Sequence, residues 1–134
     1  MLRRSRMKVR AIYRPEVLTA AADESLLDAV SRIQYEEVGS LAVPEHGVLI
    51  GIITERDLTR ALADGVDSAA TAVGDYMTME PRTVTPETDV GEAAAIMVDL
   101  GVRHLPVMEA GRLVGMMSAR DLLSLEAWNA IGAR

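Results

Sequence analysis

A duplication in register constrains this chain more than anything else in it. Leu49-Ile50-Gly51-Ile52-Ile53-Thr54-Glu55-Arg56-Asp57-Leu58 returns 64 positions later as Leu113-Val114-Gly115-Met116-Met117-Ser118-Ala119-Arg120-Asp121-Leu122. At the same offset Val38, Leu41, Val43, Glu45 and Gly47 meet Val102, Leu105, Val107, Glu109 and Gly111, while Ala29 meets Ala93 and Thr19 meets Thr83. A unit of roughly 60 residues with a one-faced sheet leaves much apolar surface exposed, so two copies are expected to bury theirs together.

Each copy reads as strand, helix, strand, strand, helix, which is a mixed α/β (α+β) fold of two β-α-β-β-α repeats about a pseudo-twofold axis. Pairing of that kind would leave two equivalent clefts. In the first copy Val9 to Thr19 is a lead-in and short strand, and Ser25-Leu26-Leu27-Asp28 has the form of a capping box. Leu26, Ala29, Val30 and Ile33 follow at helical spacing. Gly39 to Pro44 and Val48 to Thr54 are short apolar runs joined at Glu45-His46-Gly47, a hairpin signal, and Arg56 to Ala63 is a second helix that Asp64-Gly65 ends. In the second copy Val73 to Thr78 leads in, Thr83-Val84-Thr85 is the short strand, and Asp89 to Glu92 is a further capping box. Val90, Ala93, Ala94 and Met97 form the buried stripe, Arg103 to Met108 and Arg112 to Ser118 the hairpin, and Arg120 to about Ala130 the last helix. The domain plan is a flexible basic start over 1–8, one repeat over 9–65, a linker over 66–72, and a second repeat with its C-terminal helix over 73–134. Trp128 is expected to pack on the other repeat or on a second chain.

Composition narrows the function classes. Among 134 residues there is no cysteine, which removes disulfides, thiolate catalysis and Cys-ligated metals and fits a reducing, cytoplasmic setting. No apolar run has the length of a membrane span, and the first residues lack the apolar core of a secretory signal. Arg3, Arg4, Arg6, Lys8, Arg10 and Arg14 precede Pro15 without an acid among them; 8 basic and 20 acidic side chains remain, a formal charge of −12. So acidic a body argues against a nucleic-acid surface, although the basic head could meet an anion. His46 and His104 have no helical partner at metal-ligand spacing, and no metal is expected. Without a P-loop or a nucleophile and base set, no enzymatic turnover is expected either.

Chemistry concentrates where an apolar strand ends in a hydroxyl and an aspartate follows three residues later, Thr54 with Asp57 and Ser118 with Asp121. Free N–H groups and the positive end of a helix favour an anion at such a corner, and a carboxylate can accept from two vicinal hydroxyls. The same residue types are also everyday helix caps, and both readings stand at this point.

Gly51-Ile-Ile-Thr-Glu-Arg-Asp57, its copy ending at Asp121, Asp75-Tyr76-Met77-Thr78 before Thr83-Val84-Thr85-Pro86, and Val102-Arg103-His104-Leu105-Pro106-Val107 together resemble tandem cystathionine-beta-synthase (CBS) domains. The resemblance runs from about Val9 to Leu125 and is to a stand-alone CBS pair, or Bateman module. It implies a regulatory module that binds AMP, ADP, ATP, S-adenosylmethionine or NAD-type compounds, requires no cofactor, forms homodimers and signals to a partner protein not identified by the sequence. It implies ribose contacts from Thr54, Asp57, Ser118 and Asp121 and an adenine wall at Thr83, Val84, Leu105 and Pro106. From their places beside these residues, Arg56, Arg103, His104 and Arg120 are candidate phosphate contacts, with pairing of the helix-start arginines to nearby acids and partial burial of His104 on a backbone hydrogen bond as the alternatives. The first repeat departs from the pattern, with Ile12-Tyr13-Arg14 where the second has Tyr76-Met77-Thr78 and Ala42 where it has Pro106. The cleft at Ser118 and Asp121 is therefore expected to be the occupied one. The rival expectation is a ligand-free docking or oligomerisation module.

Overall fold

The computed structural model describes residues 7–124, and the expectations for Arg3, Arg4, Arg6 and Trp128 lie outside them. The fold is mixed α+β. In chain order it comprises α1 (Leu26–Glu36), β1 (Ser40–Glu45), β2 (Val48–Thr54), α2 (Glu55–Ala63), β3 (Thr78–Met79), α3 (Val90–Leu100), β4 (His104–Glu109) and β5 (Arg112–Ser118). A last helix, α4, occupies 119–124 of the described residues. No helix among the described residues is long and apolar enough to cross a membrane.

Both hairpins form where alternation and turn chemistry placed them. β1 pairs with β2 and β4 with β5, antiparallel, and each register shifts at the same place, after Val43 and after Val107. His46-Gly47 and Ala110-Gly111 all have positive φ, the backbone that a two-residue hairpin turn matched to strand twist requires. The expected short strands are reduced to single parallel bridges, Thr19 with Ala42 and Val84 with Val107.

The chain divides into two compact units, and they are not the two sequence repeats. One is residues 17–81; the other combines, of the described residues, 7–16 with 82–124. The lead-ins account for the difference. Thr71 to Thr78 is stitched into the first unit by Val73 N–H to Glu24 C=O and Leu26 N–H to Thr71 C=O, at 2.8 and 2.9 Å. Met7 to Arg14 makes the corresponding bonds in the second, Val9 N–H to Thr88 C=O and Val90 N–H to Met7 C=O, both 2.8 Å. Val73 and Val9 are each completely buried, Val73 in a core with Leu26, Ala29, Ile33, Leu41, Val43 and Ile53, Val9 in one with Val84, Ala93, Met97, Leu105, Val107 and Met117. Each lead-in then runs along its unit's hairpin as a further strand: β3 pairs with β2 through Met79 opposite Gly51 and Thr78 opposite Ile52, and Arg14 bridges Met116.

Three local expectations are corrected. Val30 is 38% exposed rather than in the α1 stripe, which is Leu26, Ala29 and Ile33. In α3 the buried set is Ala93, Ile96 and Met97, with Val90 and Ala94 only half-buried. Asp89 does not cap α3: its carboxylate accepts from Lys8 Nζ at 2.7 Å, because the exchanged lead-in places that ammonium beside it. Ser25 does cap α1, accepting the Asp28 N–H at 3.0 Å.

Candidate functional site

The two strand-to-helix corners are built alike. At the first, β2 ends on Thr54, whose hydroxyl accepts the Asp57 N–H at 3.3 Å while its own N–H donates to Asp57 Oδ2 at 2.9 Å. At the second, Ser118 Oγ accepts the Asp121 N–H at 3.3 Å and the Ser118 N–H donates to Asp121 Oδ2 at 2.8 Å. Each hydroxyl also donates to the same Oδ2 at 3.1 Å. These reciprocal boxes satisfy N–H groups that the helix start leaves open, at about 1 kcal/mol for the hydroxyl cap.

The box occupies Oδ2, and the other carboxylate oxygen faces the lead-in. Thr78 Oγ1 donates to Asp57 Oδ1 at 3.2 Å, and Arg60 Nη2 stands 3.8 Å from the same oxygen. Asp121 Oδ1 faces Arg14 Nε at 3.4 Å. The carboxylates are nearly covered, with 5% of the Asp57 side chain and 10% of the Asp121 side chain exposed, but Thr78 and Arg14, which cover them, are themselves exposed. Arg60 is tied down: Nη2 donates to the Tyr76 carbonyl at 2.7 Å and the guanidinium lies 5.3 Å from the Tyr76 ring centroid. The Tyr76 hydroxyl donates to Asp64 at 2.7 Å, and that carboxylate pushes the phenol pKa above its ordinary value.

Glycine in each repeated motif has a steric cause. A Cβ at Gly115 would lie 2.2 Å from Cδ2 of Tyr13 and 2.4 Å from the Arg14 carbonyl oxygen; one at Gly51 would lie 2.6 Å from Met77 Sδ and 3.0 Å from the Thr78 carbonyl oxygen. Bare backbone there lets the lead-in run against the hairpin, which brings Thr78 and Arg14 to the aspartates.

Sequence reasoning missed Thr78 and Arg14 as partners of the aspartates, and it attached the lead-in departure to the wrong corner. Tyr76-Met77-Thr78 serves Asp57, and Tyr13-Arg14 serves Asp121. Of the expected phosphate contacts, His104 is half-buried and opposite Ser118 in the β4–β5 register, and the exposed Arg103 accepts the Ala119 N–H through its carbonyl at 2.8 Å. Arg56 and Arg120 are exposed at the starts of α2 and α4. Of the expected adenine wall, Leu105 pairs with Met117, one residue before Ser118, and the Val84 N–H donates to the Pro106 carbonyl at 3.0 Å. Val84 and Leu105 belong to the core, Pro106 is fully buried and Thr83 is half-buried, with Val84 on the edge of β4 away from β5.

A family model for the CBS domain matches residues 9–64 and again 73–127. The chain belongs to the CBS-domain family. This CBS pair is 41% identical over 112 residues to a mitochondrial CBS domain-containing protein of Arabidopsis thaliana, CBSX3, a match covering 79% of this chain and 54% of that protein. The chain thus spans about half the length of that relative. Among solved structures, it superposes on a putative signal-transduction protein with CBS domains from Burkholderia ambifaria with a TM-score of 0.80 at 31% identity, over 89% of this chain and 85% of that one. It superposes on the CBS domain pair of protein MJ0100, in complex with 5′-methylthioadenosine and S-adenosylmethionine, with a TM-score of 0.82 at 26% identity, over 90% and 95% of the two chains. A CBS pair is a regulatory module.

Proposed function

We propose that this CBS pair is a sensor of adenosine-containing ligands, AMP, ADP, ATP, S-adenosylmethionine and NAD being the candidates, that signals occupancy to a partner protein and works without turnover. The observation that carries the reading is the division of labour within each carboxylate. Oδ2 is committed to the helix cap, whereas Oδ1 meets a group that can yield, the Thr78 hydroxyl at Asp57 and the Arg14 guanidinium at Asp121. A ribose diol could replace that group, donating to Oδ1 without disturbing the cap, and a charge-assisted bond of this kind discriminates against ligands that lack the hydroxyls. The adenosine compounds bound to the pair of MJ0100 support the same reading.

A second reading is favoured by a different observation. Among the described residues no buried side-chain nitrogen or oxygen lacks a hydrogen-bond partner, so the corners are complete as caps, as a docking or oligomerisation module requires. A thermal-shift panel with the five ligands separates the two. Ligand at about 100 times its Kd stabilises the fold by roughly 2.7 kcal/mol, so at least one compound is expected to raise Tm. That rise is expected to be lost in Asp121→Ala or in Asp57→Ala, according to the corner used. A flat panel establishes the docking reading instead.

A further inference from the structure

We propose that the two corners accept different ligands: the Asp121 corner takes adenosine compounds with a 5′-phosphate, and the Asp57 corner takes those without that charge. The inference rests on the reading of both corners as ribose sites. Their frames are equivalent, since the Arg14 N–H and C=O each bond Met116 at 2.9 Å and Thr78 pairs with Ile52, so the lead-ins hold the same place on their hairpins. Charge is what differs.

At the positions related by the repeat, the Asp57 corner carries Thr78, Glu55 and Gly39 and the Asp121 corner carries Arg14, Ala119 and Arg103. At these three positions the Asp57 corner has one acid and two uncharged residues, and the Asp121 corner has two arginines and no acid. Arg56 and Arg120 occupy related positions and cannot distinguish the corners. Arg60, beside Asp57, has no counterpart beside Asp121, where Ser124 stands at the related position, but Arg60 already donates to the Tyr76 carbonyl.

The Arg14 to Asp121 contact is also the kind a ligand displaces. At 3.4 Å, with 48% of the arginine side chain exposed, the pair is long and screened by solvent and contributes little to stability. When ribose hydroxyls take Oδ1, the displaced guanidinium stays tethered by its backbone within one side chain's length of that oxygen, where its planar fork suits a phosphate. An anionic ligand at the Asp57 corner would instead meet Glu55 and would compete with Tyr76 for Arg60.

The test is isothermal titration of AMP and of 5′-methylthioadenosine, which share the nucleoside and differ in 5′ charge. Single-corner forms of the full chain are used, Asp57→Ala and Asp121→Ala, with Asp→Asn as the alternative wherever circular dichroism shows that the alanine form has not folded. With only the Asp121 corner intact, AMP is expected to bind about tenfold tighter than 5′-methylthioadenosine; with only the Asp57 corner intact, that preference is lost or reversed. Adding Arg14→Thr to the first form is expected to weaken AMP about tenfold more than the uncharged compound, and adding Thr78→Arg to the second to create a preference for AMP. Equal preferences at the two corners, or an Arg14→Thr change that weakens both compounds alike, overturn the inference and leave the ribose reading standing. Binding of neither compound in any form overturns both.

Discussion

Glu37 is one of the described non-glycine residues whose own side chain strains the backbone. It ends α1 at φ 56 and ψ 43, the left-handed conformation, with its N–H shared between the Gln34 and Ile33 carbonyls. Sixty-four positions on, Gly101 ends α3 at φ 67 and does the same work without a Cβ. The left-handed conformation costs an ordinary residue about 1 kcal/mol, because Cβ crowds the following carbonyl. Glu37→Gly removes that cost but gives part of the gain back because glycine raises the entropy of the unfolded chain, so a net gain of roughly 0.5 kcal/mol is expected. Urea unfolding should show a higher midpoint with an unchanged slope. A midpoint that falls would mean that the Glu37 side chain contributes more than its backbone loses.

At the level of elements, the exchanged lead-ins set the tolerance of the two motif glycines. Both Gly51→Ala and Gly115→Ala push a methyl into the strand alongside, but the obstacles differ. At Gly51 the nearest atom is the sulfur of a flexible methionine, which can swing away; at Gly115 it is an aromatic ring, with a carbonyl oxygen beside it. Gly115→Ala is therefore expected to cost about 3 kcal/mol and Gly51→Ala about 1 kcal/mol, measured by denaturant unfolding, and the opposite order would contradict the described packing of Tyr13. The hairpins were legible in the sequence because strand alternation and the His46-Gly47 and Ala110-Gly111 turns are local signals. The corner boxes were legible for the same reason. The lead-in pairing was not, since a segment packed on its own repeat and one packed on the other present the same residues at the same 64-residue offset. That ambiguity also hid Thr78 and Arg14 from the site, and it hid Lys8 as the partner that turns Asp89 away from the α3 cap. The burial of Ile96 in place of Val90 depends on how α3 lies on its sheet, which helical spacing alone leaves open.

For the molecule as a whole, reciprocal exchange means that a lesson about one half must be sought in the other. Val9 lies nearest in sequence to the residues of α1 and β1, yet its side chain is in the core with Val84, Ala93, Leu105 and Met117. Val73 precedes α3 in sequence and is buried with Leu26, Ile33, Leu41 and Ile53. Truncating a completely buried valine removes apolar contact and leaves a void, at about 2 kcal/mol, and the loosening is felt first among the residues that lined it. Amide hydrogen exchange should thus give a crossed pattern. Val9→Ala is expected to lower protection through α3, β4 and β5 while β1 and β2 keep theirs. Val73→Ala is expected to lower it through α1, β1 and β2 and spare β5. If each substitution instead loosened the repeat that contains it in sequence, the lead-ins would be packed at home, and the pairing of Thr78 with Asp57 and of Arg14 with Asp121 would fall with the exchange.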